Sequence, residues 1–106
     1  MAKYLIHASY SAEGLKGLYK DKASGRLAAV RQTCESVGGK LECMYYALGE
    51  DDVVIIADLP DNVAASALSL TASATGLVRT RTTALLTVEE TDRALGTTIR
   101  FRGAGA

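Results

Sequence analysis

His7 is the only histidine of the chain and stands in the middle of an alternating stretch, Lys3-Tyr4-Leu5-Ile6-His7-Ala8-Ser9-Tyr10. An imidazole changes charge near neutral pH, so among other charged groups it can serve as a general acid or base. Arg79 and Arg81 are two residues apart and share a face of any strand they occupy. A pair of guanidinium groups so placed can grip a carboxylate or phosphate, because each pairs with such anions in a bidentate fashion. Asp58 ends another apolar stretch and can approach His7 if the two strands neighbour one another. The plainer expectation is that His7 packs at an interface, its nitrogens bound to a backbone carbonyl or to Asp58, and that the arginines blunt an edge strand. Cys43 and Met44 are adjacent, so in a strand they point to opposite faces and do not share a metal ion. The glycines form neither a G-x-G-x-x-G nor a Walker pattern. No cofactor or metal is therefore expected.

The elements that position these residues follow from hydrophobic period and punctuation. Residues 3 to 10 read as a strand, with Tyr4, Ile6, Ala8 and Tyr10 on one side and Lys3, Leu5, His7 and Ser9 on the other. Ser11 caps a helix in which Tyr19, Ala23, Leu27, Val30, Cys34 and Val37 recur at steps of three and four. Gly14, Gly17 and Gly25 weaken its first half, so a break is expected before a firmer stretch from Ser24 to Val37, where Gly38-Gly39 stops it. Residues 40 to 48 and 52 to 59 form a hairpin around Gly49-Glu50-Asp51. Pro60 and Asp61 open a second helix with a stripe of Val63, Ala67, Leu70 and Ala74, ended by Gly76. Residues 77 to 86 return to period two, and Thr87 to Glu90 is a capping box for a short helix toward Leu95. The order, strand-helix-strand-strand-helix-strand plus a short helix, predicts an α+β ferredoxin-like fold: a four-stranded antiparallel sheet with both main helices on one face. One domain is expected over residues 1–96, with a flexible tail at 97–106.

If the helices cover Ile6, Ala8, Val53, Ile55, Ala57, Val78, Thr80, Thr82 and Ala84, the other face carries Leu5, His7, Ser9, Met44, Tyr46, Leu48, Val54, Ile56, Asp58, Leu77, Arg79, Arg81 and Leu85. That face is too apolar for open water. A second copy related by a two-fold axis is the simplest cover, because the surface need only match itself. Twelve Lys and Arg balance twelve Asp and Glu, so no global field draws the chain to nucleic acid or an anionic membrane. No apolar run approaches the length of a membrane helix, nor does the N-terminus read as a signal peptide. A cytoplasmic, self-associating protein with reduced Cys34 and Cys43 is expected.

In its opening Tyr4-Leu5-Ile6, the helix start Ser11-Ala12-Glu13-Gly14-Leu15-Lys16, Gly38-Gly39-Lys40-Leu41, Val53-Val54-Ile55-Ile56, Leu59-Pro60-Asp61 and Gly76-Leu77-Val78-Arg79-Thr80, the chain resembles the GYD domain family of bacteria and archaea, which is similar to the dimeric α/β-barrel proteins. The resemblance runs from about Lys3 to Leu95. Where the family's name motif reads Gly, any residue, Tyr, Asp, this chain has Gly49-Glu50-Asp51-Asp52, and Ser9 and His7 stand where the family often has a lysine and an aliphatic residue. The family has no established reaction, so the resemblance bears on fold more than on chemistry. With the apolar outer face, it leads to the expectation of a homo-oligomeric binding or structural protein whose sheet-to-sheet interface can hold a small, anionic ligand, lined by Leu5, His7, Ser9, Tyr46, Ile56, Asp58, Arg79 and Arg81. The alternatives are an enzyme of isomerase or cofactor-free oxygenase type with His7 as acid/base, and an assembly module acting through hairpin and tail.

Overall fold

The computed structural model describes residues Met1–Ala106. Seven elements follow in the order β1 (Ala2–Tyr10), α1 (Ala12–Ser36), β2 (Lys40–Tyr46), β3 (Val53–Leu59), α2 (Asn62–Ala74), β4 (Val78–Leu85) and α3 (Val88–Leu95). The strands form one antiparallel sheet in the order β2-β3-β1-β4, with β1 and β3 inside and β2 and β4 at the edges. Strict alternation puts Tyr4, Ile6 and Ala8 of β1 and Val53, Ile55, Ala57 and Leu59 of β3 into one buried cluster with Leu41, Cys34 of α1 and Ala65 of α2. This is the ferredoxin-like arrangement, with both main helices over one sheet face.

Local chemistry fixes where the helices begin. The Ser11 hydroxyl accepts from Gly14 N, the Asp61 carboxylate accepts from Ala64 N, and Thr87 with Glu90 forms a complete capping box. Gly14 is needed for close approach rather than being a flaw in the helix: a Cβ there would lie 2.0 Å from the Leu77 carbonyl oxygen. That contact closes α1 against the entry of β4, where Leu77 O also accepts from Ser11 N at 2.9 Å.

One helix expectation holds and one needs correction. The break in α1 falls at Lys22, just before the firmer stretch expected from Ser24; its φ of 64° and ψ of 166° lie in a region that glycine adopts far more readily. Beyond the kink Leu27, Val30 and Cys34 reach the core, whereas Tyr19 before it is exposed. In α2 the inward stripe is Ala65, Leu68 and Ala72, while Val63 and Leu70 are exposed. This helix is apolar or small nearly all round, so period alone did not fix its phase.

The second strand also departs from expectation. Lys40 and Leu41 pair with Asp58 and Ala57, but the register shifts between Leu41 and Cys43, after which Cys43, Met44, Tyr45 and Tyr46 pair with Ile56, Ile55, Val54 and Val53. One extra residue at a bulge exchanges the two faces of everything beyond it. Met44 and Tyr46 therefore lie on the helix side, where Met44 packs on the core and Tyr46 Oη is 3.3 Å from Tyr10 Oη. Cys43 and Tyr45 take their places on the uncovered face. Leu48 and Leu77 belong to turns rather than to strands.

The C-terminal part projects from the body of the molecule. Helix α3 buries no residue, and residues 97–103 form neither helix nor strand. The molecule measures 58 × 31 × 24 Å with a radius of gyration of 16.9 Å, against about 13 Å for a compact chain of this length.

Candidate functional site

The sheet register decides which chemical groups meet on the uncovered face. His7 stands opposite Arg81 on β4 and Val54 on β3, and Ser9 stands opposite Arg79. Asp58 is opposite Lys3, at the far end of β1 from Ser9. There Lys3 Nζ donates to Asp58 Oδ1 at 2.9 Å and to Glu42 Oε1 at 2.8 Å. The two carboxylates, Glu42 first, push the Lys3 ammonium up to about 12. The expected approach of Asp58 to His7 is thus not made, because the antiparallel register separates them by four residues along β1.

The carboxylate that does meet His7 is Asp51, from the loop of the β2–β3 hairpin. Its Oδ2 lies 3.3 Å from His7 Nδ1 and 2.5 Å from Arg81 Nη2, while its Oδ1 accepts from Ser9 Oγ at 2.9 Å. Asp52 fixes the loop for this purpose. Its backbone N–H donates to Ala8 O at 2.9 Å, its carbonyl accepts from Ala47 N at 2.8 Å, and its carboxylate accepts from Tyr10 N at 2.8 Å. The peptide next to Asp52 is consequently held over the end of β1, directing Asp51 at Ser9 and His7.

The Arg81 guanidinium beside Asp51 holds its carboxyl below the usual carboxylate range, with the Ser9 hydroxyl helping; Asp51 in turn raises Arg81. The Asp51 side chain is only 15% exposed and that of His7 26%. An ionised carboxylate bound to one ring nitrogen orients the imidazole and leaves the other nitrogen for a further partner. Arg79, on the same face, forms no ion pair.

Toward the other end the face becomes apolar: Leu5, Ile56, Val54 and Leu85 are half-buried, Cys43 likewise, and Tyr45 is 69% exposed. Of the residues expected to share a pocket, His7, Ser9 and Arg81 meet around Asp51. Leu5, Ile56 and Arg79 share their face, Asp58 sits at the opposite end bound to Lys3, and Tyr46 is on the other side of the sheet. The principal cavities lie on the helix side, including a 530 Å³ groove between α2 and β4 and a 110 Å³ apolar cleft between the helices. No group of three His, Cys, Asp or Glu residues is placed to hold a metal ion, and no helix is long and apolar enough to cross a membrane.

An antiparallel four-stranded sheet, two helices on one face, and acid/base and cationic groups gathered at one end of the other together define a ferredoxin-like α+β protein with a bare, chemically mixed sheet face. The chain belongs to the GYD domain family, whose model matches residues 4–95. No match was found among curated proteins, nor among solved structures. The hub of the cluster, Asp51, lies within the matched residues.

Proposed function

We propose that this protein is a self-associating binding protein, in which two copies stack their uncovered sheet faces and enclose a small anionic ligand. The observation that carries this reading is the composition of that face: an apolar floor of Leu5, Val54, Ile56 and Leu85 running into His7, Arg81 and the unpaired Arg79. No helix or tail segment of the same chain covers it. An apolar surface of this kind leaves water by meeting its own copy, and closure raises the strength of the charges trapped at its end. Since Asp51 already neutralises Arg81, the net attraction for an anion comes from Arg79 and from His7 when it is protonated. A monocarboxylate with an apolar body fits both parts of the face.

Native mass spectrometry of freshly purified protein tests this directly. The expected result is a dimer or higher oligomer carrying an anionic small molecule that Arg79→Gln no longer retains. A single-chain mass at micromolar concentration overturns the reading.

The oriented His7–Asp51 couple favours a second reading, a cytoplasmic enzyme of the dimeric α/β-barrel type that moves a proton on such a ligand. His7→Gln then abolishes conversion of the retained compound while leaving the oligomer intact. For a binding protein, the same substitution changes only affinity or oligomer stability.

A further inference from the structure

The arm that follows β4 carries a succession of exposed apolar side chains. Val88, Thr91 and Leu95 fall on one side of α3, with Glu89, Glu90 and Arg93 on the other. Val88 and Leu95 are nonetheless exposed, as are Leu86, Ile99 and Phe101, the last at 85%. Five such side chains at roughly 100 Å² each offer on the order of 500 Å² of apolar surface, enough to mark an interaction site. That area is also more than half of the roughly 800 Å² that each side of a stable interface contributes. The segment Thr97-Thr98-Ile99-Arg100-Phe101-Arg102 alternates β-branched or aromatic residues with arginine, the pattern of a strand, although it pairs with nothing in the chain.

Two sheet edges are open to such a strand, and charge separates them. The β4 edge carries Arg79, which has no carboxylate partner and repels Arg100 and Arg102. The β2 edge carries Lys40, the Lys3-paired Glu42 and exposed Tyr45 and Tyr46, and leads into exposed Leu48 and Glu50. It thus offers apolar and aromatic partners for Ile99 and Phe101, tyrosine rings on which the arginines can stack, and Glu50 beyond them. Within one chain, β2 and β4 are at opposite edges of the sheet, three strand spacings or about 14 Å apart, and the arm points away from the body. A two-fold axis lying between two stacked sheets and parallel to their strands carries each sheet's left edge over the other's right edge. The β4 edge and its arm then emerge beside β2 of the second copy.

We propose that the arm crosses to a second copy of this chain and that Thr97–Arg102 adds as a fifth strand to the β2 edge of that copy. This rests on the sheet-to-sheet association proposed above. The exchange covers both the apolar side of α3 and an otherwise open strand edge.

The test uses the full chain with a benzophenone amino acid in place of Phe101, mixed from isotopically heavy and light preparations. Sedimentation velocity is run on the same samples. The expected result is a dimer with heavy-to-light cross-links from position 101 to residues 40–48, and concentration-dependent protection of the 97–102 amides in hydrogen exchange. Ile99→Asp should weaken the dimer by roughly tenfold or more, as burying an unpaired charge would, with an unchanged circular dichroism spectrum. A dimer whose cross-links fall within one chain or outside residues 40–48 overturns the arm exchange while leaving sheet association standing. A monomer overturns both.

Discussion

Asp51 joins three side chains that the strand pattern alone leaves separate: Ser9, His7 and Arg81. Its folded-state proton affinity is depressed below the ordinary value of 3.8, with Arg81 the main cause. The folded state therefore takes up this proton less readily than the unfolded chain. The stabilisation is fully present above about pH 4 and is lost as pH falls through the depressed folded value. In thermal melts across the acid range, wild-type protein should lose stability more steeply below pH 4 than Asp51→Asn, and the variant should be the less stable of the two at pH 7. Matching acid limbs would remove Asp51 from this role. His7, Ser9 and Arg81 were legible as a shared face from alternation in β1 and β4. Asp51 was not, because a hairpin loop has no period and its aim is set by the bonds of Asp52 to Ala8 and Tyr10. Asp58 was the more obvious partner in sequence, and only the strand register shows it opposite Lys3 instead.

At the scale of elements, strands and caps were the legible part. The Ser11, Asp61 and Thr87 caps start helices where their side chains promise to, and β1 and β3 alternate without interruption. What period could not show was the bulge in β2, the phase of α2 with its apolar or small residues nearly all round, and the residue at which α1 bends. Two substitutions probe that bend and the contact that precedes it. Lys22→Gly places the residue suited to φ 64° and ψ 166° at the kink and should raise unfolding free energy by about 1 kcal/mol in denaturant titration. Gly14→Ala forces a methyl group into the Leu77 carbonyl and should lower it by about 2 kcal/mol. A gain of stability in Gly14→Ala would contradict the close approach of α1 to β4.

The whole molecule is long because its last segment stands off its body, with a radius of gyration of 16.9 Å. A compact particle of twice this chain length has a radius of about 17 Å. In small-angle scattering, an arm-exchanged dimer should therefore double the forward intensity expected for one chain while its radius remains near 17 Å. A dimer with free arms would be clearly larger. The zero formal net charge removes the long-range repulsion that would otherwise oppose such pairing. The bulge at Glu42 also gives the assembled and separate chains different optical signatures. With no tryptophan and five tyrosines, the protein emits through phenol alone, and the bulge sets Tyr45 on the bare side of the sheet while Tyr4, Tyr10 and Tyr46 lie on the helix side and Tyr19 stands exposed on α1. In a Tyr19→Phe background, the change in iodide quenching between separate and assembled chains thus reads out, without any label, whether that side of the sheet is wet.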